Sequence, residues 1–339
     1  MLNFCTLFDS NYLSRGLAMY DSLIQHCPDA NLFIICLDDT LFDFLKKRNF
    51  PNLTPISIKE VEFNYKELAS AKQNRTYVEY IFTLSPVIPL FLLEKFPDIE
   101  MITSMDADIF FFSDPSVLFN DSIFFSIAIT PHQFKNNLKF LEKYGKYNVS
   151  FQTFKNDKTG IACLKDWKNK CIDWCYDKYE DNKFADQKYL DEWFEKFSQI
   201  KEYSDGSGVA PWNIEDKDIS TNKKGDVLIK DKPLIYYHFH GLRNTSANML
   251  SLALTEYGVR ERTKIVRFIY LEYIKKLLKY NEIEGFPKNQ IKRGMHPLLG
   301  KLFFLIFIGD LYYYKNNQLI RIYNLNFFRT IYSNFKKKH

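Results

Sequence analysis

The sequence predicts an α/β fold in which a mostly parallel central sheet is flanked by helices. Two observations support this prediction: apolar runs alternate with amphipathic segments near the N-terminus, and two aspartates directly follow a later apolar run. The chain has 339 residues, of which 46% are hydrophobic and 26% are charged. This composition is typical of a folded globular protein, and this length indicates one large domain with an appendage.

The first elements follow the order β-α-β-α-β. Residues 2–7 are almost wholly apolar, which predicts a strand buried on both faces of a sheet. A turn signal at residues 9–11 precedes residues 12–26, whose apolar side chains recur at helical spacing. The next segments predict a strand, a helix and a strand at residues 31–37, 40–47 and 53–58. Such an order favours parallel strands joined by right-handed crossovers.

The remaining elements of the main body are predicted in the same way. Residues 77–94 form a long apolar helix that we expect to break at Ser85 and Pro86, because proline lacks the N–H that an α-helix needs. Residues 99–105 are the next strand, and two aspartates stand at its carboxyl end. Further strands are predicted at residues 123–129, 147–154 and 234–240, and further helices at 157–179 and 185–197.

The character of the chain changes beyond the main domain, which we place at residues 1–245. Residues 246–339 are predicted to form a helical, basic and aromatic C-terminal region, and residues 287–339 contain ten Lys or Arg and one acidic residue. This charge favours contact with an anionic membrane or another polyanion. The apolar run at 302–308 is too short to span a bilayer. No nucleic-acid-binding module accompanies the basic tail, so nucleic acid is not a predicted partner.

The last residues of the chain have the pattern of an interfacial membrane anchor. Lys336, Lys337 and Lys338 follow a group of aromatic side chains, and an ordinary packed helix is the alternative interpretation. These aromatic residues are Phe327, Phe328, Tyr332 and Phe335.

Two further features indicate a reducing, cytoplasmic location. None of the six cysteines forms a Cys-x-x-Cys pair, which favours buried free thiols. The N-terminus has neither a positively charged n-region nor a small-residue cleavage site. We therefore expect a cytoplasmic protein that can reach the inner face of the membrane through its tail.

Asp106 and Asp108 are the strongest candidate for chemistry. Residues i and i+2 of an extended chain point to the same side, so the two carboxylates repel each other unless a cation lies between them. Carboxylate oxygens suit Mg²⁺ or Mn²⁺, and a diphosphate would supply further oxygens. Burying two acids in so hydrophobic a run is costly without a partner. The pair therefore predicts a divalent metal site.

A second segment, residues 236–243, ends an apolar strand in histidines, a glycine and an arginine. His238 and His240 are predicted to face the same side, so that one binds the metal and the other supports it or meets the substrate. An imidazole ligand favours manganese over magnesium. A pair of solvated histidines is the alternative interpretation.

These motifs resemble those of the Rossmann-like GT-A nucleotide-diphospho-sugar transferases, in particular retaining enzymes of the glycogenin and lipooligosaccharide galactosyltransferase types. The resemblance covers about residues 1–245 and implies their fold and activity. The matching motifs, in chain order, are residues 6–12 (TLFDSNY), 79–83 (EYIFT), 105–108 (MDAD), 147–149 (YNV), 184–190 (FADQKYL), 208–213 (GVAPWN) and 238–241 (HFHG).

The resemblance also implies roles for individual residues. A manganese or magnesium ion would be bound by Asp106, Asp108 and His238, and Asp186 and Gln187 would be the catalytic residues near the transferred sugar. For Arg75 and Tyr80, a structural role remains open as an alternative to contact with the donor. The residues expected to contact the donor are Thr6, Phe8, Asp9, Tyr12, Arg75, Tyr80, Asp106, Ala107, Asn148, His240, Gly241 and Arg243.

Two positions depart from the pattern of these families. Ser150 replaces a glycine that follows the motif asparagine, and Arg243 replaces the usual lysine. Arginine keeps a cation that can bind phosphate, since its guanidinium group is always charged.

The expected function is transfer of a sugar from a nucleotide-diphosphate donor, with UDP-sugars the expected class, to a saccharide or lipid-linked saccharide. The resemblance implies retention of the anomeric configuration and a role in surface-glycan or lipopolysaccharide synthesis. A nucleotidyltransferase is an alternative, but no glycine-rich phosphate loop follows the first strand. A non-catalytic nucleotide-sugar-binding protein is the second alternative. Such a protein is expected to have lost a metal ligand, and none of the predicted ligands is missing here.

Overall fold

Strands and helices alternate along the first 105 residues, as the sequence predicts. The computed structural model describes residues 1–203, 206–215, 217–246, 249–286 and 311–321. The strands are β1 (Asn3–Phe8), β2 (Asn31–Cys36), β3 (Leu53–Ser57), β4 (Met101–Met105), β5 (Ile109–Phe111), β6 (Ile127–Pro131), β7 (Tyr147–Lys155), β8 (Ile200–Glu202), β9 (Ile219–Thr221), β10 (Val227–Ile229), β11 (Lys232–Pro233), β12 (Tyr236–His238), β13 (Arg243–Ser246), β14 (Met249–Ser251), β15 (Leu311–Lys315) and β16 (Gln318–Arg321).

The helices lie mainly between the strands of the first half of the chain. They are α1 (Leu13–His26), α2 (Asp39–Arg48), α3 (Ile58–Asn64), α4 (Leu68–Asn74), α5 (Tyr77–Leu84), α6 (Val87–Lys95), α7 (Lys158–Asp173), α8 (Trp193–Lys196), α9 (Thr263–Ile265) and α10 (Leu271–Tyr280).

A seven-stranded sheet in the order β3-β2-β1-β4-β7-β6-β8 forms the centre of the structure. Neighbouring strands are parallel except that β7 runs antiparallel to both β4 and β6. Both faces are buried: along β2, Leu32 and Ile34 pack with α1 and α2, whereas Phe33 and Ile35 pack with α5, α6 and α7. This arrangement confirms the predicted mostly parallel sheet flanked by helices.

The predicted break in the long apolar helix is confirmed. Helix α5 begins with a capping box formed by Thr76 and Glu79, and the chain bends by 44° between α5 and α6, where Pro86 cannot donate a backbone hydrogen bond. The side chains of Leu84 and Ile88 are fully buried in the core. Within the described residues no single helix is long and apolar enough to cross a bilayer, and only α5 and α6 taken together satisfy those criteria.

Some predicted boundaries are wrong. Ile123 and Phe124, which begin a predicted strand, lie in a short 3₁₀ helix with 75% and 73% of their surfaces exposed, and the strand starts at Ile127. The helix predicted at residues 157–179 ends at Asp173. Within the helix predicted at residues 185–197, Gln187–Glu192 form a 3₁₀ segment and Trp193–Lys196 form the short helix α8. Ala185 has a positive φ of 45° and therefore lies outside the helical segment.

The described part of the C-terminal region contains the predicted helices and also strands that the sequence pattern did not indicate. Helix α9, a π-helical turn (Val266–Tyr270) and α10 follow one another, and α10 packs against α1. Strands β13, β14, β15 and β16 form an antiparallel sheet. Runs of three to five residues are too short to show a clear period. The boundary at residue 245 stays a prediction.

The structure describes all six cysteines but not the basic tail. All six cysteines are free, and five of them are buried, in agreement with the predicted buried thiols. The apolar run at 302–308 and the tail containing Lys336, Lys337 and Lys338 lie outside the described residues.

The loop after β1 is held by an acid from the end of the neighbouring strand β2. Asp38 accepts hydrogen bonds from the backbone N–H of Ser10 at 2.7 Å and from its hydroxyl at 2.6 Å. The same carboxylate caps α2 by accepting from Leu41 N at 2.8 Å. One side chain therefore fixes both loops at this edge of the sheet.

We expect Asp38→Ala to lower the free energy of unfolding by about 2 kcal/mol, because it removes a helix cap and the anchor of Ser10. Asp39→Ala is a matched control, since Asp39 is exposed and pairs with exposed Lys59, and should cost about 0.5 kcal/mol or less. Urea denaturation of the variants measures both values. Equal losses in the two would contradict this role of Asp38.

Candidate metal centre

The two aspartates leave the central sheet at the carboxyl end of β4. Asp106 N donates to Ser150 O on β7 at 3.0 Å, which holds the start of the turn. Ala107 is buried in the core between them. Because its side chain points inward, Asp106 and Asp108 both project to the other side of the turn.

His238 is brought to the aspartates by a two-stranded ribbon. Strands β5 and β12 are antiparallel, and their register places His238 opposite Ile109, the residue that follows Asp108. Two backbone hydrogen bonds continue this alignment: Phe239 N donates to Asp108 O, and His238 N donates to Val209 O, each at 2.9 Å. The ribbon therefore places the imidazole beside the acid pair.

The three predicted metal ligands lie together. His238 Nε2 is 3.1 Å from Asp108 Oδ1 and 3.6 Å from Asp106 Oδ2, and one ligand atom from each residue lies within 4.8 Å of the others. His238 is buried and its Nδ1 has no hydrogen-bond partner among the described residues, whereas the Asp106 side chain is 47% exposed. Two carboxylates and one imidazole form a donor set that fits a divalent metal such as Mn²⁺.

The charges of this group depend on one another. Partial burial of Asp106, together with the Asp108 charge, raises the pKa of Asp106, and the nearby His238 opposes this shift. Burial also disfavours the charge of Asp108, but the adjacent His238 lowers the pKa of that carboxyl. Burial opposes protonation of His238, and its pKa is nevertheless raised by the two carboxylates. The carboxylates of Asp106 and Asp108 therefore favour a positive charge beside them.

A tight loop, residues 206–213, supports the His238 ring. Asn213 Nδ2 donates to His132 O at 2.9 Å and to Gly208 O at 2.8 Å, and its Oδ1 accepts from Ala210 N at 3.0 Å. Trp212 lies edge-on to His238, with ring centroids 5.5 Å apart. This gives a structural reason for the motif GVAPWN, to which the sequence analysis assigned no role.

Glycine is required at the start of that loop. Gly208 has a φ of +64°, and a Cβ there would lie 2.7 Å from the Thr130 methyl group. A larger residue would push the loop away from β6.

The residues after His238 lie at the rim of the centre. The His240 ring is exposed and its centroid is 5.5 Å from that of His238, so the two rings are adjacent, as predicted. Gly241 turns the chain with a φ of +77°. Arg243 is exposed and forms an ion pair with Glu256, with Nη1 to Oε1 at 3.2 Å. The predicted phosphate-binding cation thus has a carboxylate partner of its own.

The residues of β1 and its loop divide into buried and exposed ones. Thr6 is buried, and its hydroxyl has no partner among the described residues. Phe8 is also buried, and its ring packs on Gly16. A Cβ added at Gly16 would lie 2.3 Å from the Phe8 ring. Asp9 accepts from Tyr77 Oη at 2.9 Å, and Tyr12 is 43% exposed. Asp9 and Tyr12 therefore present polar groups at the surface, whereas Phe8 has a packing role.

Arg75 and Tyr80 connect helices. Arg75 donates from Nη1 to Thr83 Oγ1 at 2.7 Å and from Nη2 to Ile172 O at 2.6 Å, near the end of α7. Tyr80 donates to Glu62 at 2.8 Å. Both residues are buried, so the structure shows packing roles for them, and their contact with a donor stays a prediction.

Asn148 lies on β7 next to the acid pair. It is buried, its Oδ1 accepts from Ser150 N at 3.1 Å and from the Ser150 hydroxyl, and its Nδ2 has no partner among the described residues. The serine that replaces the expected glycine thus holds the amide of Asn148.

Asp186 and Gln187 border the same region. Asp186 is buried and accepts from Ser85 Oγ at 2.6 Å, and burial raises its pKa to about 6. Its charge also contributes to the raised pKa of Asp106. Gln187 Nε2 donates to Tyr144 O at 3.0 Å.

Arg15 is a residue at this centre that the sequence analysis missed. It is buried on α1, its Nη2 donates to Leu242 O at 3.0 Å, and its guanidinium carbon lies 4.6 Å from the Tyr12 ring centroid. A signal was present, since a cation three residues after Tyr12 lies on the same face of a helical segment.

Comparison with known proteins gives relatives in both sequence and structure. No family model matches the chain. Two proteins of Bacillus subtilis (strain 168), both described as uncharacterized, are similar: YfnD is 31% identical over 293 residues, covering 84% of this chain and 92% of YfnD. YfnF is 32% identical over 256 residues, covering 72% of this chain and 83% of YfnF.

Among solved structures, the galactosyltransferase LgtC in complex with donor and acceptor sugar analogs superposes with a TM-score of 0.53. The alignment covers 84% of this chain and 98% of LgtC at 11% sequence identity. Identity this low establishes the fold alone, and the predicted GT-A fold is confirmed.

We expect Asn213→Ala to lower the free energy of unfolding by about 3 kcal/mol, because three hydrogen bonds are lost and buried groups are left without partners. Asn222→Ala is the matched control, since Asn222 makes similar local bonds in an exposed turn, and should cost less than about 1 kcal/mol. Urea unfolding of each variant provides the measurement. A loss of under 1 kcal/mol in Asn213→Ala would show that the loop does not depend on this side chain.

Proposed function

We propose that this chain, which belongs to the same protein family as YfnD and YfnF, is a metal-dependent glycosyltransferase. Its donor is a nucleotide-diphosphate sugar, with UDP-sugars the first class to test, and its acceptor is a saccharide or a lipid-linked saccharide. The observation that carries the proposal is the group Asp106, Asp108 and His238, whose ligand atoms lie within 4.8 Å of one another at the carboxyl end of a strand. This group occurs in a fold shared with LgtC.

The sheet topology supports a ligand site at this edge. Strands β1 and β4 are adjacent and parallel, so the loop that carries Asp9 and Tyr12 and the turn that carries Asp106 leave the sheet on the same side. Ligands of open α/β sheets bind outside the carboxyl ends of the strands. A nucleoside near Tyr12 and a diphosphate near Asp106 would fit this arrangement.

The acid pair explains why a metal is needed. A diphosphate close to Asp106 and Asp108 would be repelled by both carboxylates, and the ligand set of these two residues and His238 Nε2 suits Mn²⁺ or Mg²⁺. When bound there, a divalent cation supplies positive charge that stabilises the leaving diphosphate. The buried imidazole adds a ligand that a simple pair of surface acids lacks.

The surroundings of Asp186 and Gln187 favour retention without a covalent enzyme intermediate. The acceptor oxygen bonds to the anomeric carbon as the bond from that carbon to the diphosphate breaks, and the acceptor proton passes to the leaving diphosphate. Gln187 carries an amide, which is a weak nucleophile. Asp186 is buried and already accepts a hydrogen bond from Ser85, which reduces its nucleophilicity.

The acceptor class and the place of action are further parts of the proposal. We place the enzyme in surface-glycan or lipopolysaccharide synthesis at the cytoplasmic face of the membrane. The basic charge of residues 287–339 supports this location, because anionic lipid attracts clustered Lys and Arg.

We expect Asp108→Asn to lower sugar transfer at least about 100-fold, because a charged metal ligand is replaced by a neutral one. Manganese at 100 times its Kd should stabilise the wild-type fold by about 2.7 kcal/mol, and Asp108→Asn should lose this effect. Screening UDP- and GDP-sugars for hydrolysis or transfer, with and without manganese, identifies the donor. Thermal denaturation then measures metal binding independently of activity.

Asp98→Asn, at an exposed turn, is the matched control for Asp108→Asn and should behave as the wild type. Wild-type transfer by Asp108→Asn in the presence of manganese would disprove the assignment. Release of pyrophosphate would instead indicate a nucleotidyltransferase.

The product should keep the anomeric configuration of the donor, because the proposed attack occurs on the face of the leaving group. Proton NMR of the product during the first turnovers measures the anomeric coupling constant. Detection of the inverted anomer as the first product would refute retention.

A further inference from the structure

A diphosphate bound beside Asp106 and Asp108 needs a cationic side chain held in place. Arg243, which the sequence analysis expected in this role, already has a carboxylate partner. The Arg243 side chain is 48% exposed and is paired with Glu256. Using it for phosphate would require breaking that ion pair. Arg15 has no such constraint, since no carboxylate forms an ion pair with it among the described residues.

Two contacts hold the Arg15 guanidinium in one orientation. Its Nη2 donates to the carbonyl oxygen of Leu242 at 3.0 Å, and its guanidinium carbon lies over the Tyr12 ring, 4.6 Å from the ring centroid. Arg15 is only 7% exposed. A cation over an aromatic face with one hydrogen bond made is pre-organised, so little rotamer freedom would be lost when an anion binds.

The backbone places this guanidinium beside the acid pair. Leu242 closes a turn in which its N–H donates to Phe239 O at 3.2 Å, and Phe239 N donates to Asp108 O at 2.9 Å. Arg15 is thus joined to Asp108 through one short turn.

The remaining hydrogen-bonding capacity of Arg15 indicates its ligand. A guanidinium group has five N–H donors, and the described residues accept from one of them. A guanidinium group that is only 7% exposed and makes one hydrogen bond has donors left for an anionic ligand. Phosphate oxygens match the forked geometry of arginine better than they match a lysine ammonium group.

We propose that Arg15, rather than Arg243, is the residue that binds the diphosphate of the donor. The inference rests on the proposed function, since it assumes a nucleotide-diphosphate ligand near Asp106 and Asp108. It also gives the contact with Leu242 a purpose, because a diphosphate bound to Arg15 would be linked to the segment that carries His238 and His240.

The test compares Arg15→Gln, Arg15→Lys and Arg243→Gln with the wild type. Isothermal titration calorimetry in the presence of manganese measures the Kd of UDP and of GDP, and competition measures the Kd of uridine and guanosine. We expect Arg15→Gln to weaken diphosphate binding at least about 10-fold, because a charged hydrogen-bond donor is lost. Nucleoside binding should change less than about 3-fold, since the base and ribose do not contact Arg15 in this proposal.

The other two variants separate charge from position. Arg15→Lys should recover part of the diphosphate affinity, because it keeps the positive charge but loses the fork. Arg243→Gln should stay within about 3-fold of the wild type. Circular dichroism and thermal denaturation check that each variant is folded, and Arg15→Lys keeps the test informative if Arg15→Gln does not fold.

Three outcomes would overturn the inference. Diphosphate affinity within about 2-fold of the wild type in folded Arg15→Gln would exclude Arg15 as the phosphate ligand. If Arg15→Gln does not fold, the same result in Arg15→Lys would exclude the forked contact proposed for the guanidinium group. An equal loss of nucleoside and diphosphate affinity would show that Arg15 acts only by supporting Tyr12. If the wild type binds neither UDP nor GDP with manganese, the proposed donor class fails as well, which distinguishes that failure from one of Arg15 alone.

Discussion

The candidate site depends on the pairing of two three-residue strands, β5 and β12. The ribbon is held by aromatic packing: the Phe111 and Tyr236 rings are 6.1 Å apart, and Tyr236 stacks on Phe151 at 4.7 Å. A shift of one residue in the register would turn His238 to the opposite face. The position of a polar metal ligand is therefore set by the fit of apolar side chains that take no part in chemistry.

Charge balance is the second constraint on the site. Asp106, Asp108 and Asp186 bring three carboxyl groups into one region, and burial alone would favour their neutral forms. His238 and Arg15 offset part of this negative charge. The remaining imbalance is what a divalent cation would correct, and the same cation would allow a diphosphate to approach. Metal and donor would thus bind as one charge-balanced unit.

Several residues of the sequence motifs serve the frame of the site. Phe8 covers Gly16, Arg75 joins α5 to the end of α7, and Asn213 closes the loop behind His238. Each of these residues is buried, and each fixes an element that carries an exposed group. The motifs that the sequence analysis singled out therefore include positions that keep the loops in place as well as the predicted ligand-binding positions.

The sequence by itself determined the parallel sheet, the break at Pro86 and the acid pair after β4, because apolar period, proline chemistry and i, i+2 spacing are local properties. It also indicated His238 as a ligand. Tertiary structure decided which arginine has a carboxylate partner. Arg243 forms an ion pair with Glu256, whereas Arg15 donates to the carbonyl oxygen of Leu242 near Asp108. Those partners come from distant parts of the chain, and no local pattern records them. The short C-terminal strands were decided in the same way, since so few residues become strands only through the neighbours they pair with.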